Sequence, residues 1–293
     1  MTRRADVLNG AIRRTLFYYL LFLILVVQAL FVLVGVFRID FDFDPALRVW
    51  VVTAVIPVSA TAVAVWWDRR KLASYALEPW YLWGIWGPIL FGFWAGGYFL
   101  VGWLTDPSRA AMLPPEWKRF DLFVPFAPSF VFLYVIVYPL FLLPIARARK
   151  AATLQRLLVG YVLMLTVSYL VFLITPVTYP RLHTMPPHTL SFASWTLHKV
   201  WGGDPPWNCL PSTHCAVAML SALAIAETDK RLGVWAIVTA LAIGVSTVYT
   251  KQHYIVDVIA GFSLAGATFG MLRWIWRNPE HVPERARELM ARD

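Results

Sequence analysis

Charge is scarce in this chain. Asp, Glu, Lys and Arg make up 15% of its 293 residues, against 59% hydrophobic residues and a mean hydropathy of +0.60. An average soluble domain carries about 25% charged residues, so an ordinary water-soluble fold is excluded. Cysteine is scarcer still: Cys209 and Cys215 are the only two. They cannot form a metal cage by themselves, and they read as thiols in apolar surroundings rather than as a disulfide. Low-complexity tracts and internal repeats are absent. Asp40, Asp42 and Asp44 lack the glycine that a calcium loop carries after its acids, so they read as a solvated acidic loop. His183, His188 and His198 have no acid at ligand spacing and read as surface histidines rather than zinc ligands.

What the chain has is apolar length. Uncharged stretches run from Leu16 to Phe37, Val49 to Trp67, Pro79 to Thr105, Leu122 to Ala146, Leu157 to Pro180 and Leu232 to Thr250. Each is near the roughly 20 residues that cross a bilayer. Two shorter segments, Ser212 to Ala226 and His253 to about Leu272, bring the expectation to eight spans in an all-α polytopic membrane helix bundle. The first apolar run is long and has no small-residue cleavage site, so it is expected to remain as a span.

The distribution of charge orients these spans. With eight of them, segments on the side of the N-terminus hold 18 of the 26 Lys and Arg. Cytoplasmic loops carry that excess, which predicts cytoplasmic termini and outward-facing loops at 177–211 and 251–252. The net charge of +9 sits mostly in short loops beside spans, where orientation and anionic headgroups account for it, so nucleic acid is not the expected partner. Membrane lipids are. Trp66, Trp67, Trp80, Tyr81, Trp274 and Trp276 read as interfacial anchors. Seven prolines between Pro176 and Pro211 predict a stiff segment with no further helix, either a vestibule or a plain connection. The pairs Gly92 with Gly96 and Gly266 with Gly270 read as close internal helix contacts.

Chemistry concentrates between Cys209 and Gly261. Pro211-Ser212-Thr213-His214 opens one apolar helix, and His253-Tyr254-Ile255-Val256-Asp257 opens another. On a helix, residues i and i+4 meet, so Asp257 can bond one nitrogen of His253 and leave the other basic. Ser212 and His214 stand at a helix start, where unpaired N–H groups favour an anion. Ionisable groups gathered at one membrane face are costly and tend to mark function.

These segments resemble the type 2 phosphatidic acid phosphatase superfamily. Its second motif is Pro-Ser-Gly-His, with Thr213 here in the Gly place. Its third is Ser-Arg-x5-His-x3-Asp, which here runs from Ser246 to Asp257 with Thr247 in place of Arg. Thr247 makes the chain look closest to the inositol phosphorylceramide synthase-like branch. The first motif, Lys-x6-Arg-Pro, has only Tyr179-Pro180-Arg181 as its counterpart.

The resemblance implies a six-span lipid phosphatase-like catalytic core over 79–276, a two-span addition over 1–78 and a cytoplasmic tail over 277–293. It implies a lipid phosphate substrate and a metal-independent phosphatase or phosphotransferase at the outer face. His253, oriented by Asp257, would attack phosphorus to form a phosphohistidine, and His214 would protonate the leaving oxygen. Ser212, Thr213, Lys251 and Arg181 are the expected phosphate ligands, with no cofactor. A headgroup transferase, a non-enzymatic lipid transporter and a catalytically silent scaffold remain as alternatives.

Overall fold

The computed structural model describes residues 2–39, 44–67, 86–148, 151–180 and 191–277, which are mostly helical with isolated bridges and no strands. The helices are α1 (Thr2–Phe31), α2 (Pro45–Trp50), α3 (Ile56–Trp67), α4 (Trp86–Leu104), α5 (Pro115–Lys118) and α6 (Val131–Tyr134). They continue as α7 (Val137–Arg147), α8 (Ala151–Ile174), α9 (Phe192–Gly203), α10 (Thr213–Thr228), α11 (Lys230–Tyr249) and α12 (Ile255–Arg277).

Seven described segments are long and apolar enough to cross a membrane: Gly10–Val36, Leu47–Trp67, Gly87–Leu104, Pro128–Arg147, Thr153–Ile174, Lys230–Tyr249 and Ile255–Arg277. Their outward faces are apolar. On α11, Val234, Val238, Leu241 and Val245 recur at helical spacing and are each about half exposed or more, as lipid contact requires. Trp66 and Trp67 project from the end of α3 with exposures of 62% and 81%.

The expected eighth span, α10, has 16 residues and is shorter than the other seven. It is the central pillar all the same. Ala216, Val217, Ala218, Ala222 and Ile225 are fully buried against α7, α8, α11 and α12. Alanines along this helix let its neighbours approach closely. The first span shares the same core through Leu20, Ile24, Val27 and Leu30, and the Gln28 side-chain amide donates to Thr239 Oγ1 of α11 at 2.9 Å.

Capping fixes where the pillar starts and where its successor begins. Ser212 caps α10, its hydroxyl accepting from the Cys215 N–H at 3.4 Å. Asp229 caps α11 by accepting from Arg231 and Leu232. The Leu232 N–H, with Arg147 beside it, holds that carboxyl below the usual range. Arg147 meets Asp229 at 3.0 Å and Arg156 pairs with Glu227, closing the end of the bundle opposite Ser212.

Three expectations about elements are corrected. The 176–211 segment does contain a helix, α9, because its prolines flank the proline-free stretch Thr189 to Asp204 rather than interrupt it. The fourth span starts at Pro128 rather than Leu122. Prolines 125 and 128 break the run, and 119–123 forms a 3-10 turn outside the span. The paired glycines are not close contacts among the described residues, where a Cβ added at Gly92, Gly96, Gly266 or Gly270 meets nothing within 4 Å. Cys209 and Cys215 are buried and unbridged.

The tight approach is elsewhere, at Gly261 on α12. A Cβ there would sit 2.5 Å from the Ser212 carbonyl oxygen and 3.1 Å from Cys215 Cβ. That glycine lets α12 lie against the first turn of α10. Gly261→Ala is therefore expected to destabilise the protein by about 1 to 3 kcal/mol, the usual overpacking cost, while Gly266→Ala is neutral. Thermal unfolding of both variants in one detergent tests this, and equal melting temperatures would contradict the packing assignment.

Candidate active site

Two helix starts face each other at one end of the bundle. At the first, Ser212 leaves the Thr213 and His214 N–H groups without intrahelical acceptors, as at any helix N-terminus. At the second, the chain turns sharply after α11. Lys251 takes φ 56°, in the left-handed region that a side chain disfavours. The Thr247 carbonyl accepts from both Gln252 N–H, at 2.9 Å, and His253 N–H, at 3.2 Å. His253 thus sits before the helix, not on it as the i, i+4 argument assumed, because α12 begins only at Ile255.

The pair meets nonetheless. His253 Nδ1 lies 3.4 Å from Asp257 Oδ2, which also accepts from the Tyr254 N–H at 2.9 Å. Asp257 therefore caps α12 from its first turn, in the manner of a capping-box acid. The backbone joins the two starts as well: Ser212 N–H donates to the Asp257 carbonyl at 3.1 Å.

A second carboxylate completes this end. Asp121 Oδ1, from the 3-10 turn, accepts from the Ile255 N–H at 2.9 Å. Burial raises its pKa above the usual carboxylate value, although the Ile255 N–H acts in the opposite direction. Lys251 turns toward the same segment, with Nζ 2.6 Å from the Val124 carbonyl and 3.4 Å from that of Asp121. Burial lowers the pKa of that ammonium. Thr247, in the place of the family arginine, has its hydroxyl on the Gly244 carbonyl at 2.8 Å. Arg181, His183 and His188 lie outside the described residues, as do Asp40, Asp42, Trp80 and Tyr81.

His214 is 5% exposed, with its ring 6.3 Å from that of His253. Its Nδ1 faces the Tyr134 hydroxyl at 3.4 Å, and the rings of Trp94, Tyr98 and Tyr138 lie around it. These residues line a half-open cavity of about 350 Å³ with Thr196, Lys199 and Asp204. The Tyr98 hydroxyl donates to Asp204 at 2.6 Å, and Asn208 and Trp207 donate to the Tyr98 and Gly102 carbonyls, fastening α4 to this wall.

Several buried polar atoms here have no hydrogen-bond partner among the described residues. They are Thr213 Oγ1, His214 Nε2, both side-chain atoms of Gln252, Asp257 Oδ1 and Asp121 Oδ2. A buried donor or acceptor left unpaired costs about 1 to 3 kcal/mol, and these six atoms at two facing helix starts are available to a polar ligand. The Cys209 sulfur borders this cluster without belonging to it: it lies within 4.8 Å of ligand atoms of His253 and Asp257, and its thiol donates to the Pro206 carbonyl at 3.3 Å.

Of the residues that the sequence singles out, Ser212, Thr213, His214, Lys251, His253 and Asp257 come together at these two helix starts. Sequence reasoning missed Asp121, Gln252, Tyr134 and the aromatic wall. Asp121 carried a usable signal as an acid flanking an apolar run. The aromatics carried none, since they are indistinguishable in sequence from lipid-facing rings.

A model of the PAP2 superfamily matches residues 121–271, which spans Asp121 and both facing helix starts. No curated protein and no solved structure matches the chain. With the family match covering more than half of its length and seven apolar helices long enough to cross a bilayer, the chain is a multi-pass membrane protein that belongs to the PAP2 superfamily, a family of lipid phosphatase type.

Proposed function

We propose that the chain is a membrane-embedded phosphoesterase acting on a lipid phosphate through a phosphohistidine. The observation that carries this reading is the pairing of two buried histidines, 6.3 Å apart, of which one is backed by a carboxylate. Asp257 holds Nδ1 of His253, so Nε2 keeps its lone pair and attacks phosphorus in line. His214, on the other side, protonates the departing oxygen through its unpaired Nε2. Dephosphorylation of the histidine reverses these roles: His214 takes the proton of the incoming water or alcohol as its oxygen bonds phosphorus, and the P–N bond to His253 breaks. The N–H groups of the α10 start, the Thr213 hydroxyl and the Gln252 side chain are available to the phosphate oxygens. Lys251 joins them by leaving the Val124 carbonyl, and Arg181 from the 177–211 segment supplies the second cation.

Transfer to an alcohol, as a headgroup transferase performs, has one specific support. The cavity beside His214 is about 350 Å³, larger than an attacking water needs, and it lies on the side where the leaving or accepting group must be. The charge bias of the loops supports an outer-face site with both termini cytoplasmic. Incubating the purified protein with lipids labelled at phosphorus decides between the two. Free phosphate is the phosphatase outcome, and label in a new lipid is the transferase outcome. Absence of both sinks the proposal.

Two variant series follow. His253→Gln abolishes turnover with the fold intact, while Asp257→Asn leaves weak activity because the imidazole survives without its orienting partner. Near-wild-type turnover in His253→Gln contradicts the mechanism. Asp121→Ala removes the acceptor at Ile255 and is expected to lose about 1 kcal/mol of stability as a lost cap, together with roughly ten- to a hundredfold in turnover as His253 shifts. Asp121→Asn keeps an acceptor oxygen and is expected to restore most of both. Equal loss in the two variants would assign Asp121 a charge role instead.

A further inference from the structure

We propose that Cys209, His253 and Asp257 form an inhibitory binding site for a soft divalent cation such as zinc. Three ligand types that zinc favours, a thiol, an imidazole and a carboxylate, converge with their ligand atoms within 4.8 Å of one another. All three side chains are buried: Cys209 and His253 are each 3% exposed and Asp257 is fully enclosed. Zinc bonds of about 2.0 to 2.3 Å in tetrahedral geometry separate their ligands by about 3.5 Å. The cluster therefore needs an inward movement of roughly one ångström, within the reach of side-chain rotation.

A second observation points to a missing partner at this place. Asp257 is fully buried, yet its Oδ1 has no hydrogen-bond partner among the described residues. Charge balance favours the cation as well. Binding releases the thiol proton of Cys209, after which one thiolate, one carboxylate and a divalent ion sum to zero in a low-dielectric pocket, whereas either anion alone is costly there. A water or a side-chain oxygen takes the fourth position.

The consequence for His253 is direct. An imidazole nitrogen that coordinates the ion no longer has a lone pair to give, and Asp257 becomes a metal ligand instead of the partner of Nδ1. The bound ion thereby shuts the site, and its removal by a chelator reopens it. This inhibitory effect rests on His253 being the nucleophile; the binding itself does not.

The test uses full-length protein stripped with chelator, then dialysed against zinc at fixed free concentration. Bound metal is counted by atomic emission, and turnover is followed in parallel. The metal-free protein is expected to be active. One zinc per chain is expected to bind and to reduce turnover by about tenfold or more, and chelator is expected to restore it. Cys209→Ser is expected to weaken zinc binding by more than the roughly 10- to 100-fold that loss of a supporting hydrogen bond costs, with basal turnover kept. Cys215→Ser is expected to bind zinc as the wild type does.

Cobalt(II) provides a readout independent of the variant's folding. The wild-type protein should show thiolate-to-cobalt charge-transfer absorption that Cys209→Ser lacks and Cys215→Ser keeps. No stoichiometric zinc, equal binding in Cys209→Ser, or activation by zinc would each overturn the proposal. Stoichiometric zinc bound through Cys209 in a protein that turns over no lipid phosphate would leave the binding site standing and remove the proposed function instead.

Discussion

Asp257 is the residue on which the rest of this end of the molecule depends. Its carbonyl receives the Ser212 N–H, its Oδ2 receives the Tyr254 N–H, and the same oxygen faces His253 Nδ1. One residue thus joins two helix starts, caps α12 and orients an imidazole. A buried carboxylate is tolerated in such a setting only where hydrogen bonds compensate its lost hydration. Gly261, one turn further along α12, makes the arrangement sterically possible by leaving room for the Ser212 carbonyl. Packing and chemistry are therefore coupled here, because the close approach of α12 to α10 brings the two histidines near each other.

Around that core the molecule separates its polar work from its apolar bulk. The far end is closed by Arg147 with Asp229 and Arg156 with Glu227, charge pairs at the membrane edge that hold loops together. The near end carries polar atoms that no described residue satisfies. Helix starts leave N–H groups unpaired by construction, and a phosphate between them would satisfy several at once. Asp121 stabilises the α12 start from a separate segment, and its pull on Ile255 N–H opposes the rise in its own pKa that burial causes. In this account α12 is held from within by Asp257 and from outside by Asp121, so the turn bearing His253 is fixed before any substrate arrives.

Much of this is legible in the amino-acid sequence. Long uncharged runs announce spans because the bilayer sets one length for all of them, and the helix starts at Ser212 and near His253 follow from capping and motif spacing. What was not legible depends on tertiary contact. Whether Lys251 turns to a phosphate or to the Val124 carbonyl is decided by the 119–123 turn, 130 residues earlier in the chain. The exact start of α12 depends on the Thr247 carbonyl capturing two successive N–H groups, which no local propensity encodes. The glycine pairs at 92/96 and 266/270 gave the right pattern on open faces, while Gly261, with no partner at that spacing, makes the tight contact. Cys209 looked inert in sequence because its neighbours in space, His253 and Asp257, are more than forty residues away in the chain.

The central claim is that phosphorus passes through His253. Trapping the intermediate tests it most directly: a lipid labelled at phosphorus is turned over, the reaction is quenched in alkali within the first turnovers, and the digested protein is searched for label. The account predicts label on the peptide containing His253, stable in alkali and released by acid, as a phosphorus–nitrogen bond requires. Turnover of the same lipid with no label on the protein, or with label confined to a peptide lacking His253, would contradict it.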